Sequence, residues 1–365
     1  MMMKKILYDN QMFTFQRFGG VTRYFADLIY NLPSNEFIGE LPMYFCENHY
    51  VTHTYGREYK TLSFPENYRI RRRIYQIANR VKTLHALRTG GYDIFHPTYY
   101  SPYFLPFIKA RKRAFVLTIH DMTFERFPQD VLIYDRTIPH KKKLIKEADH
   151  IIAVSENTKR DIVELLGTDP AKISVVHHGF LPGGTVAPRL FDRYILYVGE
   201  RKGYKNFLPW LSAIRQLLVL DPTLKIVCTG SSFTSSEQEV FRNWGVADSI
   251  IHIAANDAQM NSLYRNALCF VFPSLYEGFG IPILEAFSNG CPVCLSDASC
   301  FPEVAGDAAL YFAPHDAQSM YDTLREVITN ATLREELKNR GYERIKEFSL
   351  TKMVRQTCDV YRSVL

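Results

Sequence analysis

The chain has 365 residues, of which 47% are hydrophobic and 22% are charged. This composition excludes an intrinsically disordered chain, and the length exceeds the size at which one hydrophobic core usually stops growing, so two domains are expected. No apolar run reaches the roughly 20 residues of a membrane span, and the beginning, MMMKKILYDN, has the pattern of a short strand rather than of a secretion signal. These features predict a cytoplasmic protein.

Strand and helix patterns alternate along the first half of the chain. The patterns predict strands at 5–8, 94–96, 114–120, 151–155 and 173–177, and helices at 22–32 and 156–166. Such alternation favours an α/β fold with a doubly wound parallel sheet. Gly19 and Gly20 lie between the first strand and the first helix, where backbone amides can contact a phosphate or an acceptor; a plain turn with an N-cap is the alternative.

The next predicted helix carries much of the positive charge. The chain has a net charge of +6, but residues 1–180 hold 26 Lys plus Arg against 18 Asp plus Glu, and the remainder holds 18 against 20. In segment 68–88 apolar residues recur at helical spacing, and seven Arg and Lys residues occupy most of the other face. This face is either a solvated surface or a contact surface for anionic lipid headgroups or a polyanionic acceptor. No motif typical of nucleic-acid binding accompanies it.

The predicted strand at 114–120 ends in His120 and Asp121. A ligand at the switch point of a parallel sheet would lie at this end of the strand, although a lone histidine is as often a packing residue. No second His/Asp pair at a supporting spacing indicates a metal site.

A segment rich in glycine and proline, 179–188, predicts a linker between two domains. The alternation then restarts, with strands expected at 194–198, 225–229, 250–253 and 268–272 and helices at 206–220 and 257–267. We therefore expect an N-terminal Rossmann-like domain at 1–182 and a second one at 183–349, facing each other across a central cleft. A final helix at 350–365 would cross back onto the first domain.

Two loops of the second half carry candidate binding residues. In YVGERKGYKN, Arg201, Lys202 and Lys205 follow a strand and precede a helix, so these cations can reach a phosphate pair; a solvated basic loop is the alternative. In FPSLYEGFGIPILEAFSNGCPV, a glycine loop is followed by a helix that we expect to open at Pro282, with Glu285 in its first turn. A tight turn before a helix whose early glutamate complements the helix dipole is the alternative for either Glu277 or Glu285 taken alone. Together, amides and carboxylates suit a ligand with phosphates and hydroxyls, such as a sugar nucleotide.

Seven cysteines are scattered through mostly apolar segments, which is typical of buried thiols in a reducing compartment. Cys291 and Cys294 form a C-x-x-C without a second pair at zinc spacing, so we interpret them as structural, with a redox or metal role as the alternative. The chain also lacks G-x-G-x-x-G, which argues against hydride transfer with a nicotinamide cofactor.

Six motifs in this order resemble the retaining glycosyltransferases of family four, which have the GT-B fold. The motifs are GGVTRYFADL, TIHDMTFERFP, IIAVSENTKRDI, VVHHGF, YVGERKGYKNF and FPSLYEGFGIPILEAFSNGCPV with its paired glutamates, and they span nearly the whole chain. The spacing between Arg201 and Lys205 is shorter than in many relatives, which leaves open whether Arg201 or Lys202 meets the phosphate. The loop is most similar to a bacterial subgroup that builds surface polysaccharide, often from mannosyl donors such as GDP-mannose.

The resemblance implies a role for each matching residue. Arg201 and Lys205 would bind the diphosphate, Glu277 would lie near the donor sugar and leaving phosphate, and Glu285 would bind the ribose hydroxyls. His120 would lie at the reacting sugar. The remaining donor-binding residues implied by the resemblance are Gly19, Gly20, Lys202, Tyr276, Gly278, Phe279, Gly280 and Ile281. Because cations and a helix dipole carry the pyrophosphate charge in this family, no metal and no cofactor are expected.

The predicted activity is transfer of a hexosyl unit, with a mannosyl unit as the candidate, from a nucleoside diphosphate sugar to a glycan or lipid-linked acceptor. The basic first domain can add peripheral contact with the inner face of an anionic membrane. A sugar-nucleotide epimerase or a phosphorylase of the same fold is one alternative, and a non-catalytic nucleotide-sugar-binding protein is another. An epimerase would act without an acceptor, and a binding protein would not hydrolyse a donor.

Overall fold

The computed structural model describes residues 3–64, 67–130 and 136–365. The chain divides into two compact units. Unit 1 comprises Met1–Gly179 together with Leu350–Leu365, and unit 2 comprises Phe180–Ser349. None of the helices in the described ranges combines the length and the apolar character that a membrane span requires.

Unit 1 is built on a parallel sheet. Its strands in the described ranges are β1 Lys4–Tyr8, β2 Phe37–Glu40, β3 Ile94–His96, β4 Ala114–Ile119, β5 His150–Ala153 and β6 Ile173–Val175, in the order β2-β1-β3-β4-β5-β6. The helices are α1 Gln11–Phe15, α2 Gly20–Tyr30, α3 Tyr68–Thr89, α4 Leu105–Arg111, α5 Thr123–Arg126, α6 Thr137–Glu147 and α7 Glu156–Leu166. The order of strands reverses between β1 and β3, which is the switch point of this unit.

Unit 2 has a second parallel sheet. Its strands are β7 Tyr194–Tyr197, β8 Lys225–Cys228, β9 Ile250–His252, β10 Cys269–Phe272, β11 Val293–Ser296 and β12 Leu310–Phe312, in the order β12-β11-β10-β7-β8-β9. The helices are α8 Phe207–Leu220, α9 Ser235–Asn243, α10 Asp257–Asn266, α11 Ile281–Ser288, α12 Phe301–Ala305, α13 Ala317–Thr329 and α14 Ala331–Arg344. This is the strand order of a dinucleotide-binding fold, with the switch point between β7 and β10.

The last helix, α15 Leu350–Ser363, belongs to unit 1. Its Tyr361 is buried, and the hydroxyl lies 2.7 Å from the hydroxyl of Tyr8 and 2.8 Å from Nδ1 of His96. At the surface, Arg362 forms an ion pair with Glu36. Because these partners come from β1, β3 and the segment before β2, the helix closes the core of unit 1 by joining its first and last segments.

Each unit has its own apolar core. The strands of parallel sheets are covered on both faces, and β7 and β10 accordingly consist of buried residues throughout. The largest buried side chain of unit 2 is Trp210 in α8. All seven cysteines are buried with free thiols, and burial raises the pKa of Cys291 well above its ordinary value. The pKa of Cys294 is raised too, first by its contact with Cys269 and then by burial. These thiols therefore behave as core side chains.

The predicted α/β fold with two Rossmann-like parallel sheets is confirmed. Helix α7 and strand β3 have the predicted bounds, and most other predicted elements are within two residues of theirs. The sequence analysis did not predict β2, β11 or β12. These strands are short and lie at or next to a sheet edge, so their sequences lack a long apolar run.

Candidate active site

Two loops of unit 2 meet at the switch point of its sheet. One follows β7 and contains Arg201 and Lys205; the other follows β10 and contains Glu277. The backbone N–H of Leu275 donates to the carbonyl oxygen of Tyr204 at 2.7 Å and so ties the loops together. Ligands of such sheets bind outside the carboxyl ends of the strands at this point. The predicted basic and acidic loops therefore form one site.

Lys205 and Glu277 form an ion pair within this site. The Nζ of Lys205 lies 2.7 Å from Oε1 of Glu277, and the side chains are 18% and 15% exposed. The ammonium group also lies 5.0 Å from the ring centroid of Tyr204 and 5.7 Å from that of Phe272. Both side chains are thus reachable from solvent but partly shielded from it. This shielding strengthens the electrostatic interaction of each charged group with a charged part of a ligand.

Arg201 is held more deeply than the sequence indicates. Its Nε donates to Glu237 at 2.8 Å, and its Nη2 donates to the carbonyl oxygens of Ser231 and Ser232 at 2.7 and 3.1 Å. The Nη1 atom is buried and has no hydrogen-bond partner among the described residues. The neighbouring Lys202 is exposed. Arg201 therefore presents a buried donor that still needs an acceptor.

The sequence analysis missed Glu237. Burial raises the pKa of this carboxyl group, but hydrogen bonds from Arg201 and Thr234 outweigh burial and lower it below the ordinary value. Glu237 also forms a capping box with Thr234 at the start of α9. The pattern Thr-x-x-Glu was a visible signal for the capping box, although nothing in it indicated the partner Arg201.

Ser299 fixes the backbone of Glu277, and this role was also missed. Its hydroxyl oxygen accepts from the Glu277 N–H at 3.1 Å, and the hydroxyl donates to the Glu277 carbonyl oxygen at 2.7 Å. Ser299 adopts a φ of 56°, a region that non-glycine residues rarely occupy. The strained backbone is maintained where it positions the carboxylate, a pattern common at functional sites. No sequence signal marks this contact.

The start of α11 differs from the prediction. Gly280 precedes the helix with a φ of 92°, and Ile281 is the first helical residue. The helix thus begins one residue earlier than the predicted Pro282, directly after the left-handed Gly280. Glu285 is consequently the fifth helical residue and lies in the second turn, so its predicted place in the first turn is wrong. The carboxylate of Glu285 accepts from the hydroxyl of Tyr264 at 3.0 Å. Tyr264 is a further residue that the sequence did not indicate.

Part of the loop after β10 presents its backbone rather than its side chains. Tyr276 and Phe279 are buried, and the Phe279 ring packs edge-on against Phe348 with centroids 5.7 Å apart. Gly230 follows β8, which lies on the other side of β7. A Cβ atom at Gly230 would lie 2.7 Å from the carbonyl oxygen of Gly199, so the loops after β7 and β8 can approach this closely only because residue 230 is glycine. The switch point is therefore bordered by closely packed main chain, which suits contact with a phosphate.

The predicted site residues of unit 1 form a separate group. His120 follows β4 and is buried, with ring centroids 5.1 Å from Tyr24, 5.8 Å from Phe25 and 5.7 Å from His178. Burial, followed by the nearby His96 and Lys141, lowers the pKa of His120 to about 3. Both of its ring nitrogens lack a hydrogen-bond partner among the described residues. His120 is thus a neutral imidazole with unmet hydrogen-bonding capacity.

Gly19 and Gly20 lie at the start of α2. Gly20 is the first helical residue, and the hydroxyl of Thr22 donates to the carbonyl oxygen of Gly19 at 2.9 Å. A side chain at Gly19 would overlap the amide oxygen of Gln16. Thr22 does not cap the helix, because it lies within the first turn and its hydroxyl donates to the carbonyl oxygen of Gly19 instead of accepting from an N–H of the helix start.

The structure thus divides the predicted site residues between the two units. The group in unit 2 comprises Arg201, Lys202, Lys205, Tyr276, Glu277, Gly278, Phe279, Gly280, Ile281 and Glu285, and the group in unit 1 comprises Gly19, Gly20 and His120. In the part of the chain that the structure describes, no group of three or more His, Cys, Asp or Glu side chains is arranged to hold a metal ion.

Two Rossmann-like units, with a cation and a carboxylate joined at the switch point of the second, define a glycosyltransferase of the GT-B type. Two family models match the chain: Glycosyltransferase Family 4 at residues 18–180 and Glycosyl transferases group 1 at residues 188–344. The chain belongs to the family 4 glycosyltransferases, as the resemblance of its motifs predicted.

Three of the sequence relatives are bacterial mannosyltransferases. The O-antigen chain mannosyltransferase B of Escherichia coli is 29% identical in an alignment of 312 residues that covers 79% of this chain and 79% of its own length. The O-antigen chain mannosyltransferase RfbU of Salmonella typhimurium is 27% identical over 58% of this chain and 60% of its own length. Part of the serotype-specific mannosyltransferase WbdA of Escherichia coli is 33% identical over 60% of this chain, but the match spans 29% of that protein.

Solved structures share the fold at low sequence identity. Sucrose-phosphate synthase from Thermosynechococcus elongatus has a TM-score of 0.74 at 16% identity and covers 99% of both chains. The Anabaena protein Alr3699/HepE, solved in complex with UDP and glucose, has a TM-score of 0.74 at 14% identity and covers 99% of this chain and all of its own. These likenesses establish the fold.

Proposed function

We propose that the protein transfers a hexosyl unit from a nucleoside diphosphate sugar to an acceptor hydroxyl, with retention at the anomeric carbon and without a metal ion. The observation that carries the proposal is the meeting of Lys205 and Glu277 beside glycine-bordered main chain at the unit 2 switch point. A diphosphate requires cations and N–H donors, and sugar hydroxyls require acceptors such as a carboxylate.

The cations would act on the leaving group. When the bond between C1 and the phosphate oxygen breaks, negative charge develops on the departing diphosphate. The positive charge of Lys205 acts on a nearby phosphate whichever of its N–H groups bond to Glu277. A phosphate oxygen would also satisfy the buried Nη1 donor of Arg201, which Glu237 holds in a fixed orientation.

Proton transfer requires no further protein base. The acceptor oxygen bonds to C1 on the face that the leaving group departs from, and the acceptor proton passes to the departing phosphate oxygen. The products are a glycoside and a nucleoside diphosphate. Glu277, paired with Lys205 and fixed by Ser299, would orient the sugar rather than form a covalent intermediate. His120, as a neutral imidazole, would hydrogen-bond to the reacting sugar.

We assign the donor to the mannosyl class, with GDP-mannose as the candidate, and the acceptor to a glycan or lipid-linked intermediate of surface polysaccharide or glycolipid. The support is the similarity to O-antigen chain mannosyltransferases. On this proposal the protein works in the cytoplasm, uses no cofactor and contacts no nucleic acid. The basic charge of its first 180 residues provides peripheral contact with an anionic membrane.

Donor binding and turnover test the proposal. We expect GDP and GDP-mannose to raise the melting temperature more than UDP, ADP and their sugars do, because a ligand of the native state alone stabilises it. Hydrolysis of GDP-mannose should continue in EDTA, and rapid NMR should show the α-anomer of mannose first. Loss of turnover in EDTA would contradict metal independence, and an initial β-anomer would contradict retention. If none of the nucleotides or nucleotide sugars raises the melting temperature, the proposed site is wrong.

A further inference from the structure

Helix α3 carries an apolar stripe that the core of unit 1 does not use. Ile70, Ile74, Ile77 and Val81 are 49%, 38%, 69% and 58% exposed. At about 100° per residue these four side chains fall within an arc of roughly 60°. Isolated exposed apolar residues are ordinary, but four aligned along three turns of one helix form a continuous apolar surface.

The opposite face of α3 anchors the helix. Asn79 is fully buried; its Oδ1 accepts from the N–H groups of Tyr44 and Phe45 at 2.8 and 3.0 Å, and its Nδ2 donates to Phe45 O and to Thr14 Oγ1. Tyr75, one turn earlier, donates to Glu47 at 2.9 Å. The helix is therefore fixed through its inner face, and the apolar stripe points away from the unit that holds it.

Positive charge borders the stripe mainly on one side. Arg69, Arg73 and Arg80 are exposed along this edge. Along the other edge, Arg71 is paired with Glu47, and the half-buried Lys82 donates to the carbonyl oxygen of Met43. The 22 residues of α3 contain no Asp or Glu. A narrow apolar stripe beside a row of exposed arginines is the pattern of helices that lie in the interface of an anionic membrane, with their apolar face below the headgroups.

We propose that α3 docks unit 1 on an anionic lipid bilayer, with the stripe Ile70, Ile74, Ile77 and Val81 inserted among the acyl chains and the bordering arginines on the lipid phosphates. A second copy of the chain is a poorer occupant, because the cationic edges of two α3 helices would repel each other. This inference rests on the proposed function, since a lipid-linked acceptor lies in the membrane that α3 would bind.

Vesicle sedimentation tests the docking surface. Full-length protein is mixed with vesicles of phosphatidylcholine containing phosphatidylglycerol, or with phosphatidylcholine vesicles alone. We expect binding to the first kind only, weakening with salt. Ile74→Ser and Ile77→Ser should each weaken binding about tenfold or more, and Arg69→Gln with Arg73→Gln about 25-fold. The controls are Val219→Ser and Leu220→Ser, which remove apolar side chains that are 59% and 68% exposed at the end of α8 in unit 2.

The outcomes separate this inference from the proposed function. Unchanged vesicle binding by the α3 variants, equal loss in the α8 controls, or equal binding to neutral vesicles would overturn the docking surface. Self-association that Ile77→Ser abolishes, without vesicle binding, would assign the stripe to a second copy instead. Thermal shift by GDP-mannose is measured on the same variants. A retained shift with lost vesicle binding supports the inference, whereas a missing shift in the wild type refutes the proposed donor site whatever the vesicles show.

Discussion

Replacing Lys205 tests whether its charge acts on the donor or only neutralises Glu277. Lys205→Met removes the ammonium group and keeps a side chain of similar length. A cation about 4 Å from a phosphate oxygen, at an effective dielectric constant of about 20, contributes about 4 kcal/mol. The pair is 18% and 15% exposed, so this intermediate dielectric is appropriate. We expect kcat/KM for donor turnover to fall about a thousandfold.

The assay is turnover of GDP-mannose, measured as GDP release, together with the thermal shift that GDP produces. Lys225→Met is the control, because Lys225 lies at the start of β8, where its Nζ donates to the carbonyl oxygens of Pro222 and Asp248. If Lys205→Met stays within threefold of the wild type and keeps the GDP shift, the reasoning is refuted. If Glu277→Gln restores activity to Lys205→Met, the lysine serves only to neutralise that carboxylate.

Three further predictions concern the surrounding structure. Glu237→Ala should lower the free energy of unfolding by about 3 to 5 kcal/mol in urea titrations, because it leaves the buried guanidinium of Arg201 without its anion; no change would contradict the buried pair. Gly280→Ala should lower the free energy of unfolding by about 1 to 3 kcal/mol and weaken the thermal shift that GDP produces. Its control, Gly245→Ala, is also at positive φ but has no neighbouring atom within 4 Å of its Cβ position; it should lower the free energy of unfolding by about 1 kcal/mol and leave the thermal shift intact. Between pH 7 and pH 5 the unfolded chain protonates His120 and the folded chain does not, so the free energy of unfolding should fall with falling pH. His120 contributes up to about 1.4 kcal/mol per pH unit below pH 6.5, and His96 and His178, whose pKa values burial also lowers, add to the slope. His120→Phe should therefore reduce the slope by the share of one histidine, and an unchanged slope would contradict a neutral buried imidazole.

Much of the fold was predictable because its signals are local. Apolar runs such as β10 and periodic segments such as α7 depend on neighbouring residues, and the glycine linker near 179 interrupts both patterns. Strands β11 and β12 escaped prediction because they have only four and three residues and gain their stability from pairing, β11 with β10 and β12 with β11. Pairing of this kind joins residues distant in sequence, which no local pattern records.

By itself, the sequence determined which residue types stand at the carboxyl ends of β7 and β10, and thereby the chemistry that the site offers: cations, carboxylates and glycines. Only the tertiary structure decided how they are paired. The strand order makes β7 and β10 neighbours and brings Lys205 to Glu277, while Arg201 turns to Glu237 and Ser299 holds the Glu277 backbone. The exposure of the α3 stripe was likewise decided by the buried hydrogen bonds of Asn79. The reason is physical: a side chain's partner depends on distances through space, which the folded sheet sets and a linear pattern does not.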